Sequence, residues 1–134
     1  MYKVIYKKFI TRQDVRDNSD AIFIFGDNDQ RTGYGGQAKA MRGEPNAIGI
    51  RVKKYPSMDE QSFYTDDELM ENIIKIDSDI NKITELSHSH LKDIIVPESG
   101  IGTGLAKLST KAPKTFDYLN IILRQKFNII NRKI

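Results

Sequence analysis

Asp27 and Asn28 stand just past the apolar run 21–25, and Gly33, Gly35 and Gly36 follow after the polar stretch 29–32. A carboxylate and a carboxamide at the end of a strand can reach a ribose hydroxyl, a scissile bond or a catalytic water. The same two side chains can instead bond the loop backbone as Asx turns. The glycines permit positive φ and close backbone approach, and a helix beginning at Gln37 would aim free amides into the loop. A tight strand-to-helix turn with no ligand would use glycines equally well. The second candidate is Ser99, Gly100, Ile101, Gly102, Thr103, Gly104 and Leu105, directly after the apolar run 94–96. Alternating glycines with two hydroxyls can form a nest of amides around a diphosphate. This stretch lacks the Gly-Lys-Ser/Thr ending of a Walker loop and the Gly-x-Gly-x-x-Gly spacing of a dinucleotide fingerprint. Both loops leave strand C-termini, the edge at which open α/β sheets bind ligands. One phosphate-bearing ligand between them is the expectation.

Alternating elements must position these loops. Residues 2–10 are strand-like, and Thr11 and Asp14 have capping-box spacing for a short helix or turn. Residues 21–25 form a second strand, 37–42 a helix ended by Gly43, and 47–52 a third strand. The polar connector 53–62, which contains Pro56, is a candidate flap. Thr65 and Glu68 then have capping-box spacing at the start of a helix whose apolar stripe is Leu69, Ile73, Ile76, Ile80 and Ile83. Residues 92–96 form a fourth strand, Pro113 opens a last helix, and 127–130 are expected to return as a strand. The predicted architecture is a three-layer α/β/α sandwich with a mixed, mostly parallel sheet in one domain spanning 1–134.

Composition narrows the chemistry. The chain has 134 residues, 39% hydrophobic and 29% charged, enough for one real core. No cysteine is present and only two histidines, His88 and His90, so thiol catalysis and thiolate metal sites are excluded and a metal-free site without a cofactor is expected. No apolar run exceeds five residues and the start reads as a strand rather than a signal peptide, so a cytoplasmic, monomeric protein with no membrane partner is expected. The net charge of +3 comes from dispersed lysines without an arginine stripe. That pattern suits a solvated surface that also attracts an anionic nucleotide.

Together these residues resemble the macro domains, which bind ADP-ribose on an α/β/α sandwich; the correspondence runs from about residue 10 to 123. The family's first motif is similar to 20–28 with the glycine loop 33–40. Its second, a Pro-x-Ile-Gly-x-Gly-Leu diphosphate loop, is similar to 97–108 with one residue inserted. The closest branch removes ADP-ribose from carboxylate esters or DNA bases. The resemblance implies that Asn28 contacts the distal ribose, that Gly35, Gly36 and Gln37 pass beside the diphosphate, and that Ser99 to Leu105 wrap its other side. It also implies that Asp14 contacts adenine. ADP-ribose or an ADP-ribosylated substrate is the partner implied, with nucleic acid entering only as a modified substrate.

Two departures bear on catalysis. The family's catalytic aspartates would fall at Ala38 and Ala106, and neither acid is present. A hydrolase would rely on Asp27, Asn28 or Glu98, or on a water held by the substrate's diphosphate; Lys39 is a weaker option. Tyr34, Phe63 and Tyr64 could stack on a base, or belong to the core. Three functions remain open: an ADP-ribosyl ester, phosphate or base hydrolase using Asp27 and Asn28; a non-catalytic ADP-ribose reader or sponge; and a nucleotide-binding relative with another ligand.

Overall fold

In the computed structural model, which describes residues 2–131, four strands form one sheet. They are β1 (Val4–Lys7), β2 (Ile22–Asn28), β3 (Ala47–Lys53) and β4 (Ile94–Pro97), in the order β1-β4-β2-β3. Every pairing is parallel. The β2 sequence shows why this sheet is covered on both faces. Ile22 and Ile24 enter one buried cluster while Phe23 and Phe25 enter another, and β4 likewise divides Ile94 and Val96 from Ile95. An uninterrupted apolar strand has no face to offer water, so helices must cover both sides.

Helices α1 (Arg12–Asp17) and α2 (Ala38–Met41) cover the Phe23 face, contributing Val15, Ala38 and Met41. Helices α3 (Leu69–Thr84) and α5 (Pro113–Phe127) cover the Ile22 face, contributing Ile76, Ile80, Ile83, Phe116, Leu119 and Leu123. A one-turn helix, α4 (Leu108–Lys111), lies between the second glycine loop and α5. The result is the expected three-layer α/β/α arrangement, with a wholly parallel sheet among the described residues.

Local signals are honoured unevenly. The capping box at α1 forms in both directions: the Asp14 amide donates to Thr11 Oγ1 at 3.1 Å and the Thr11 amide to Asp14 Oδ2 at 2.8 Å. At α3 the matching spacing does not cap. Thr65 makes no side-chain cap, a short 3₁₀ turn (Asp66–Glu68) precedes the helix, and Glu68 pairs with Lys54. Asp66 instead reaches across to α5, accepting the amides of Lys114 at 2.9 Å and Thr115 at 3.0 Å, and the Thr115 hydroxyl at 3.0 Å. The carboxylate thus satisfies orphan donors and meets the positive end of a neighbouring helix. The predicted strand at 127–130 is absent. Phe127 completes α5, Asn128 takes the left-handed conformation with φ 59°, and the chain stops helixing there because the amides of Asn128 and Ile129 bond back to Arg124 and Leu123.

Asp66 yields a testable consequence. Burial pushes its carboxyl up, but hydrogen bonds from Lys114 and Thr115 more than offset that and hold it below the ordinary aspartate value. A lowered folded value means stabilisation that is complete above about pH 4 and is lost as pH falls through the lower folded value. Asp66→Ala is expected to cost about 1 kcal/mol of stability at neutral pH, the size of a helix cap. In urea denaturation its deficit against the parent should shrink as the pH falls below the usual aspartate range.

Candidate functional site

The strand ends set the shape of the site. Strands β2 and β4 pair only at Ile22 with Ile94 and Phe23 with Ile95, then part. The gap is bridged by Gln37. Its Oε1 accepts the Gly26 amide at 2.9 Å and its Nε2 donates to the Gly100 carbonyl at 2.7 Å. The side chain therefore fastens the end of β2 to the loop after β4. Above this brace lies a cleft of about 1030 Å³ to which the C-terminal ends of all four strands contribute, at Lys7, Asn28, Lys53 and Pro97. This is the edge at which a parallel sheet presents its loops to ligands.

The two glycine loops face each other across the cleft. Leu105 lies over Gly35 and Gly36, so near that a β-carbon on Gly35 would sit 3.3 Å from Leu105 Cδ1. In the first loop, among the described residues, no protein atom accepts the amides of residues 33–37; the loop's inward bonds begin with Ala38, Lys39 and Ala40. In the second loop the amides of 102–106 are likewise without a protein acceptor. Gly36 and Gly102 take the left-handed conformation, at φ 56° and 81°, and so shape the two turns. An amide without an acceptor is satisfied by water or by a ligand, and two such runs on opposite loops can together hold a polyanion. Helix α2, only one turn long, begins at Ala38 rather than Gln37, so the seat depends on loop amides rather than a helix dipole.

Charge agrees with that geometry. Asp27 is the single carboxylate among the lining residues, against Lys7, Lys8, Arg12, Lys39, Arg42 and Lys53. Arg12 pairs with Glu44 and Arg42 with Asp27, which leaves four lysines without an ion-pair partner among the described residues. The cleft is net positive.

Asp27 is not a free carboxylate. Its Oδ1 accepts from Arg42 at 2.6 Å and from the Asn28 amide at 2.8 Å. Its Oδ2 accepts from Arg31 at 3.1 Å and from Arg42 at 3.3 Å. Four donors fill the roughly four lone-pair positions of a carboxylate, leaving none to take a proton from water. The pair continues inward: Arg31 also binds Asp79 of α3 at 2.6 Å, and Asp79 holds Arg51 of β3 at 3.1 Å. Asn28 is an Asx turn, its Oδ1 accepting the Gln30 amide at 3.0 Å and its Nδ2 donating to the Thr32 carbonyl at 2.7 Å. Of the two roles the sequence left open for these side chains, loop bonding is the one their contacts perform.

The remaining candidates divide. Gly35, Gly36, Gln37, Ser99, Gly102, Thr103, Gly104 and Leu105 line the cleft together with Asp27 and Asn28. Asp14, Gly100 and Ile101 do not. The Asp14 carboxylate serves its capping box. Ile101 is buried in the core, and Asn131 takes both its amide, at 2.7 Å, and its carbonyl, at 3.0 Å. Tyr34 is exposed outside the cleft, and Tyr64 is core, its hydroxyl donating to Asp29 at 2.5 Å. Lys39 lines the cleft and Glu98 does not.

Sequence reasoning passed over two residues that the fold brings to the site. Phe9, 76% exposed, stands at the β1 end of the cleft. Lys53 ends β3 at the other side, past a bulge that pairs Asp27 with Arg51 but Asn28 with Lys53. The bulge brings both Val52 and Lys53 to the cleft wall. A lysine at the end of β3, between Val52 and Lys54, carries no local signal of this. The polar connector that follows folds back so that Phe63 pairs with Lys53, and its Pro56 packs against Gly33.

Among the described residues no helix is long and apolar enough to cross a membrane, and no group of three His, Asp or Glu is placed to hold a metal ion. A model of a family of unknown function, DUF7831, matches residues 5–121. No curated protein matches the chain, and no solved structure does.

Proposed function

The chain belongs to this family of unknown function, and we propose that it is a binder of ADP-ribose or of an ADP-ribosyl derivative, held across the C-terminal edge of the sheet. The amides of 33–37 and 102–106 carry this reading, because they offer a diphosphate donors that no acceptor among the described residues uses. A volume of about 1030 Å³ supports a ligand of dinucleotide size, since pockets for small ligands run from roughly 300 to 1,000 Å³. With the diphosphate over the gap between β2 and β4, the two ends of the ligand extend toward opposite sheet edges. The adenine goes to the β1 side, where the exposed Phe9 ring offers a stacking face. The distal ribose goes to the β3 side, beside Asn28.

The resemblance to macro domains also implies hydrolysis of an ADP-ribosyl ester, phosphate or base linkage at Asp27 and Asn28. The four donors on Asp27 favour binding without turnover through that residue, which makes a reader or sponge the better-supported form of the proposal. Calorimetric titration with ADP-ribose, AMP and NAD tests it. Micromolar affinity for ADP-ribose, at least tenfold tighter than for AMP, is expected. Equal affinity for AMP would move the assignment to a mononucleotide ligand, and no heat at millimolar ADP-ribose would overturn it.

A further inference from the structure

Lys53 is 7% exposed, yet no carboxylate approaches its ammonium among the described residues. The nearest polar partner is the Met58 thioether, a weak acceptor 3.4 Å from Nζ, and the Phe63 ring lies 5.0 Å away from Nζ to centroid. Lys111 approaches the same ring at 5.0 Å but is neutralised by Glu60 at 2.8 Å. Burial lowers the Lys53 pKa, and the nearby positive charge of Lys107 lowers it further. A buried cation beside a like charge, with no counter-ion, is unfavourable unless something anionic joins it. Both lysines stand near the cleft: Lys53 lines it, and Lys107 directly follows the lining residue Ala106.

We propose that Lys53 forms a phosphate-class oxyanion site at the β3 end of the cleft, separate from the diphosphate seat on the loop amides. The site rests on the reading above only for the identity of that neighbouring seat. It would take either a phosphomonoester carried on a sugar or free inorganic phosphate. The glycine loops, whose donors are backbone amides, do not depend on Lys53, so a side-chain substitution separates the two sites.

The test compares the parent with Lys53→Met, which keeps the apolar stem and removes the charge. Thermal unfolding is followed with inorganic phosphate, with ribose 5-phosphate, and with sodium chloride at matched ionic strength. In the parent, either phosphate at about ten times its Kd should raise Tm by about 4 °C over chloride. Lys53→Met should lose most of that increment, any remainder being phosphate held by the loop amides. Without phosphate it should unfold at or above the parent Tm, because an unpaired buried charge has been removed. Tighter binding of ribose 5-phosphate would assign the site to a substituent on the ligand, and equal binding to the free ion; either supports it. An increment undiminished in Lys53→Met, or none in the parent, overturns it. ADP-ribose calorimetry on both proteins keeps the two claims apart. Binding of ADP-ribose with an unchanged phosphate response removes only the Lys53 site. A phosphate response lost in Lys53→Met, with no ADP-ribose binding, removes only the ADP-ribose reading.

Discussion

Asp27→Ala is expected to lower the unfolding free energy by about 3 kcal/mol, with the loss read as a fall in the urea midpoint at unchanged m-value. Removing one partner of a buried ion pair costs about 3–5 kcal/mol because the other charge is left without compensation. The lower figure applies here because the Arg31 side chain is 35% exposed and can turn to water, whereas Arg42 at 13% cannot do so easily. Arg42 also donates to the Gly33 and Thr32 carbonyls at 2.6 and 3.1 Å, so releasing it loosens the first glycine loop. Affinity for ADP-ribose should therefore fall along with stability. If Asp27 were a catalytic base with no structural role, the substitution would abolish turnover of an ADP-ribosyl substrate while leaving the unfolding free energy within about 0.5 kcal/mol of the parent.

Gly49→Ala should be nearly as damaging although it adds a single methyl group. A β-carbon at Gly49 would lie 2.5 Å from Asp27 Oδ2 and 2.7 Å from Asp27 Cβ, distances at which something must move. Phe25 and Gly49 are register partners in the β2–β3 ladder, and the Gly49 carbonyl accepts from Arg31 at 2.8 Å, so the backbone has little freedom to retreat. The carboxylate must leave its arginines instead. The expected cost is about 3 kcal/mol, overpacking combined with the broken pair. Because both substitutions act through the same contact, they should not add. In an Asp27→Ala background, Gly49→Ala should cost less than in the parent because no carboxylate is left to displace, although the retained β-carbon at 27, 2.7 Å away, must still shift. Strict additivity in this double-mutant cycle would show that the Gly49 position matters for another reason.

The features legible in the sequence are those specified by neighbours along the chain. Unbroken apolar runs at 21–25 and 94–96 predict buried strands, and the strands formed there bury side chains on two faces. The spacing of Thr11 and Asp14 predicted a reciprocal cap, which forms. The same logic failed at Thr65 and Glu68, because Asp66 has better partners on α5, distant in sequence, and Glu68 pairs with Lys54. The apolar stripe of α3 gives no sign that the helix also buries Asn72 and Asp79, the second serving Arg31 and Arg51. Within the site, glycine spacing located both loops. It could not reveal that Asp27 is enclosed by arginines from 31 and 42, that Gln37 braces two strand ends, or that a bulge turns Lys53 toward the cleft. Each of those roles is assigned by a partner that only the folded chain brings near.

Amide-resolved NMR of the ¹⁵N-labelled protein during titration with ADP-ribose tests the central claim most directly. The account predicts that the largest shifts fall on the amides of 33–37 and 102–106, the donors that lack a protein acceptor, with smaller changes at Phe9 and Asn28. The Ile101 amide, held by Asn131 in the core, should respond less than its neighbours at 102 and 103. Shifts confined to another surface, or none at millimolar ligand, would contradict the placement of a diphosphate between the two glycine loops.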